Sequence, residues 1–96
     1  MAHDATGWTR IGVSGRVTDK PCKVWGFIVI PSAATALATI YDGLDTGSGR
    51  LFGVFHASTL TTAPFLFSKP VKFDRGIYVD LTANITAVIV LWEPVS

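Results

Sequence analysis

The sequence predicts an all-β domain, a small antiparallel β-sandwich or jelly-roll-like barrel of about seven or eight strands. Three observations carry that prediction. β-Branched and aromatic residues recur along the whole chain, turn-forming clusters return about every ten residues, and no stretch holds a helical period long enough to bury one face. The 96 residues suffice for one core, and a domain of this size buries only roughly 60 to 65% of its extended surface. Residues 1–7 read as a flexible N-terminal arm and 8–96 as a single β-sandwich domain.

Taken in order, Trp8 to Thr18 forms a first, weak strand in which Trp8, Arg10, Gly12 and Ser14 alternate with Thr9, Ile11, Val13 and Gly15. Cys22 to Ile30 is a strong strand, apolar on both faces, and Pro31 stops it because proline lacks the donor that would continue a ladder. Ala36 to Tyr41 and Arg50 to Ala57 flank a polar stretch, Asp42-Gly43-Leu44-Asp45-Thr46-Gly47-Ser48-Gly49. That stretch reads as a hairpin loop, since glycine supplies positive φ and aspartate closes turns onto its own backbone. Pro64 to Phe67 and Val71 to Phe73 make a strand broken at Pro70. From Gly76 to Leu81, Ile77, Val79 and Leu81 alternate with Tyr78 and Asp80, the period of a strand with one wet or interfacial face. Ile85 to Glu93 completes the set.

Composition limits the function classes. Hydrophobic residues make up 49% and charged residues 16% of the chain, and mean hydropathy is +0.44, whereas an ordinary soluble domain is about 25% charged. A small sandwich strand normally keeps one polar face, yet VWGFIVI (Val24 to Ile30) and AVIVLW (Ala87 to Trp92) are apolar on both. Those strands are expected at a subunit contact. A net charge of +1 gives no basic stripe and so no nucleic-acid partner. The apolar runs fall short of the roughly 20 residues that span a bilayer, and the polar N-terminus lacks the apolar segment of a signal peptide, so synthesis in the cytoplasm and no membrane partner are expected. Cys22, the sole cysteine, cannot close an intrachain disulfide. His3 and His56 lack the spacing of a zinc site, and Asp42 and Asp45 lack the terminal glutamate of a calcium loop, so neither a metal nor a cofactor is expected.

One tripeptide points to catalysis. Leu44-Asp45-Thr46-Gly47-Ser48 resembles the active-site loop of aspartic proteases, in which two carboxylates about 3 Å apart share one proton. A chain with one such loop must form a homodimer to use it. Asp45, however, follows Asp42-Gly43-Leu44 and so sits inside a turn, and Leu51-Phe52-Gly53 is too near to thread behind it. The tripeptide is therefore expected to be a turn and the chain not to be an enzyme, with a homodimeric protease using Asp45 as an alternative. A carbohydrate-binding module stacking sugars on Trp8, Trp25 and Trp92 is another.

The order of elements resembles a known group. Val24 to Ile30, then Ala33 to Thr39 leading into Ile40-Tyr41-Asp42-Gly43, then Gly76-Ile77-Tyr78-Val79-Asp80-Leu81-Thr82, and last Ala87 to Trp92 are similar to the small all-β structural proteins of tailed-bacteriophage virions. The likeness covers residues 22 to 93, and Ala83-Asn84 stands where the pattern has a glycine turn. It implies a decoration or cement protein of the virion, assembled in the host cytoplasm, a homo-oligomer and specifically a trimer, bound to the major capsid protein or other virion proteins. A tail, neck or fibre-base component is the alternative within the same group. Such proteins work through surfaces. The expected interface residues are Trp8, Ile11 and Val13 near the N-terminus, with Trp25, Phe27, Tyr78 and Trp92 as anchors.

Overall fold

A computed structural model describes residues 7–33, 35–57 and 61–95. Eight strands follow one another: β1 (Gly7–Ile11), β2 (Gly15–Thr18), β3 (Cys22–Pro31), β4 (Ala36–Asp42), β5 (Arg50–Ala57), β6 (Ala63–Phe73), β7 (Ile77–Ala83) and β8 (Ile85–Pro94). They form two four-stranded sheets of order β1-β8-β3-β6 and β2-β7-β4-β5. Every pairing is antiparallel. The partners nest outward from the β4–β5 hairpin: β4 with β5, β3 with β6, β2 with β7 and β1 with β8. A long hairpin rolled up in this way is the jelly-roll arrangement; the all-β sandwich is as the sequence predicts, and the nested pairing decides between the two wirings it left open.

The core lies between the sheets. Val24, Phe27, Val29, Val88 and Val90 from one sheet meet Ala38, Ile40, Ile77 and Val79 from the other, all fully buried. The six phenylalanines of the chain are linked ring to ring, with Phe27 against Phe52, Phe55 and Phe67, Phe52 against Phe73, and Phe55 against Phe65. They fill the side of the sandwich where the edge strands β5 and β6 face each other. Phe52 is placed there by a register shift of β5 against β4 between Ile40 and Tyr41, which turns its ring inward.

One strand reading needs correction. The segment Trp8 to Thr18 is not one strand; β1 and β2 belong to different sheets, and the exposed turn Gly12-Val13-Ser14 carries the chain across. β6 spans Ala63–Phe73, but its ladder with β3 is interrupted between Leu66 and Val71, so the break expected at Pro70 is present in the pairing. The strand lies at a sheet edge, where a missing backbone donor costs no ladder bond. The arm expected over residues 1–7 lies outside the described residues apart from Gly7, which begins β1. Between β7 and β8 the left-handed turn residue is Asn84, with φ of 56°, one of the few non-glycine types that tolerates this conformation.

Candidate interaction surface

The register of β3 and β8 determines what the outside of their sheet presents. Phe27 pairs with Val90 and Val29 with Val88, and these four side chains are in the core. Strand alternation then turns the intervening pairs, Ile28 with Ile89 and Ile30 with Ala87, to the outer face, where the isoleucines are half-buried and Ala87 is fully covered by its neighbours. The edge strands extend the rows: Trp8 lies beside Leu91 and Arg10 beside Ile89, while Leu66 lies beside Gly26 and Pro64 beside Ile28. One apolar row thus crosses the sheet from Trp8 through Leu91 and Gly26 to Leu66. Its two ends are the most open, Trp8 at 66% and Leu66 at 63% exposure; in its middle Leu91 is half-buried and Gly26 buried.

Charge is confined to the margin of this face. Glu93 pairs with Lys23 and Lys23 with Lys72, a charged row at one end, and Arg10 lies at the β1 edge. Among the described residues Arg10, Lys23 and Glu93 make no ion pair, whereas Lys72 reaches Asp74 at 3.8 Å. An apolar centre with a polar margin is the anatomy of a protein–protein interface. Trp25 also belongs here. It is the extra residue of β3 against β8 between Val24 and Gly26, it lies outside the core cluster, and its indole N–H is buried without an acceptor among the described residues.

The outer face of the other sheet is different in kind. Thr39 and Thr82 share a hydrogen bond of 2.8 Å, the Ser14 hydroxyl donates to Asp80 at 3.1 Å and accepts from the Leu81 backbone N–H, and Tyr41 meets Tyr78 edge to face. Its polar groups satisfy one another. Its edge strand β5 leaves apolar side chains exposed, chiefly Leu51 and Val54.

The expected interface residues therefore scatter. Trp8 and Trp25 share the apolar outer face. Tyr78 lies on the opposite sheet, and Val13 projects from the β1–β2 turn at 75% exposure. Ile11 packs against the core, as does Trp92, whose indole donates to the Thr9 hydroxyl at 3.0 Å. Phe27 needs correction as an anchor, because it is fully buried among the phenylalanines. Ile28, Ile89, Leu91 and Leu66 were not among the expected residues. The signal that could have found them is the second apolar face of VWGFIVI and AVIVLW, read at period two.

The chemistry-bearing groups have structural roles. Asp45 lies at the tip of the β4–β5 hairpin and accepts the Ser48 backbone N–H at 2.7 Å and the Ser48 hydroxyl at 2.9 Å. These bonds, the backbone one first, hold its carboxyl below the ordinary value of 3.8. Arg16 donates to the Leu44 carbonyl and Arg75 to the Ser48 carbonyl, tying the hairpin to β2 and to the β6–β7 turn. Asp42, 4% exposed, accepts the backbone N–H groups of Asp74 and Arg75 and the guanidinium of Arg50 at 2.9 Å. Burial, and then the charge of Asp42, pushes the Cys22 thiol up to about 11. Among the described residues no three His, Cys, Asp or Glu side chains are grouped to hold a metal, and no helix is long and apolar enough to cross a membrane. Compared with family models, curated proteins and solved structures, the chain matches none.

Proposed function

We propose that this chain is a non-enzymatic virion structural protein, a capsid decoration or cement protein of a tailed bacteriophage that associates with itself and binds the shell of major capsid protein. The observation that carries the reading is the apolar outer face of the β1-β8-β3-β6 sheet, whose centre of isoleucine and leucine is edged by charge. A protein working alone in water gains nothing from such a face, whereas a protein present in many copies buries it against neighbours and multiplies weak contacts by avidity. The β5 edge, with Leu51 and Val54 exposed, offers unpaired backbone groups for strand addition against the shell. Jelly-roll domains recur in viral capsids and in lectins, which supports the reading as an analogy of fold only.

The test is the stoichiometry of this chain in purified particles of its source, by quantitative mass spectrometry against the major capsid protein. A ratio near one, or near one to three, is expected. A much smaller copy number assigns it to tail, neck or fibre base. Absence from the particle overturns the virion reading, and Asp45→Asn, which leaves assembly intact under this proposal, then decides whether the chain is a protease.

A further inference from the structure

The outer face of the β1-β8-β3-β6 sheet is complementary to itself. We infer that two copies of this chain pack face to face through it, about a two-fold axis that runs along the strands between β3 and β8. The inference rests on the proposed reading of this face as an interface and adds the partner and the geometry.

A two-fold axis in that position lays β8 of one copy over β3 of the other, and each row of the sheet over itself in reverse order. Glu93 then meets Lys23 of the second copy, and Lys23 meets its Glu93, so charges that are cross-strand neighbours within a chain become two ion pairs between chains. In the next row Leu91 falls over Gly26, which is buried and flanked by the Leu66 side chain of its own chain. At the ends of that row the two most exposed groups, Trp8 and Leu66, cover each other. Ile89 meets Ile28, whereas Ala87 is already fully buried within its own chain. Every contact occurs twice, as an isologous interface requires. Two such sheets pack with strands aligned to within about 30°, so the match holds best near the axis.

The alternative two-fold, across the strands, fails on charge. Centred on the face, it sets Glu93 over Ala87 and Lys23 over Ile30, burying charges against methyl groups, which is unfavourable without a partner. Centred on the charged row, it sets Glu93 against Glu93. Of the two, the axis along the strands pairs Glu93 with Lys23 and keeps that charged row at the margin, and the charge it sets over an apolar residue, Arg10 over Pro64, lies at the sheet edges. An isologous contact closes at two copies, so the assembly unit is a dimer where the family resemblance implies a trimer.

Sedimentation equilibrium on the purified full chain tests this. The wild type is expected to be a dimer. Lys23→Glu and Glu93→Lys each set like charges opposite one another twice, and each variant alone is expected to dissociate at concentrations where the wild type is dimeric, with affinity reduced roughly a hundredfold. Mixed in equal amounts, the two variants are expected to form a heterodimer, because both facing pairs then carry opposite charges again: two acidic side chains from the Lys23→Glu chain meet two basic ones from the Glu93→Lys chain. This rescue acts only between chains, so changes within either chain cannot produce it. Should either charge variant fail to fold by circular dichroism, Leu66→Asp serves instead, its side chain lying at the exposed edge; it is expected to give a folded monomer. A monomeric wild type, a trimer, or a dimer that these variants leave intact overturns the geometry. Any of these with the chain still abundant in particles leaves the virion reading standing, and a dimer absent from particles does the reverse.

Discussion

Asp42 shows how one side chain can fasten two distant parts of a small sandwich. Its carboxylate is nearly inaccessible and accepts from the backbone of Asp74 and Arg75 as well as from Arg50, joining the end of β4 to the β6–β7 turn. Asp42→Ala strands two backbone donors, so a loss of roughly 2–4 kcal/mol is expected in urea unfolding, with Asp42→Asn costing less because it keeps one acceptor. An unchanged midpoint for the alanine variant would show that water replaces the carboxylate. Asp45, at the hairpin tip, makes a prediction of opposite character. Its folded-state carboxyl sits below 3.8, so the stability it lends is present above that value and is lost as pH falls through the folded one. Asp45→Ala is therefore expected to be less stable than wild type at neutral pH and to converge with it in acid; a deficit that persists in acid would assign the effect to turn conformation. Cys22, with its thiol pushed up to about 11 and no exposed surface, is expected to resist alkylation until the chain unfolds.

At the scale of elements, β3 depends on a glycine. A Cβ on Gly26 would stand 2.5 Å from the Phe65 carbonyl oxygen and 3.0 Å from the Leu66 Cα, because the register shift at Trp25 brings the β6 backbone close. Both obstructing atoms are main chain, so β6 must move. Gly26→Ala is expected to cost roughly 1–3 kcal/mol and to raise hydrogen exchange along β6 before the rest of the sheet, whereas uniform exchange would mean that β6 is not the element displaced. Strand positions were largely legible in the sequence, since period-two alternation and punctuation by glycine, proline and aspartate are local signals. They failed where the deciding contact was distant. Trp8 to Thr18 reads as one strand unless its halves are known to pair with β8 and β7 respectively, whereas the interruption of β6 at Pro70 is a local signal and was legible.

The whole molecule was legible as a sandwich and not as a particular wiring of one, because nested pairing joins residues such as Trp8 and Leu91 that no local pattern connects. The candidate surface was half legible. Two strands apolar on both sides announced a contact, but choosing Phe27 instead of Ile28 as its anchor turned on the register, and a one-residue change of register exchanges the faces of a strand. That distinction has a consequence for stability. If the outer face is closed by a second copy, unfolding is coupled to dissociation, and mass action raises the melting temperature with protein concentration. A tenfold increase in concentration adds about 1.4 kcal/mol per dimer, which for two domains of this size corresponds to roughly 3 °C. Differential scanning calorimetry over a dilution series is expected to show that rise for the wild type and a flat line for Leu66→Asp. The same flat line for both proteins would mean that the apolar face stays open to water, and that the two sheets alone hold the fold.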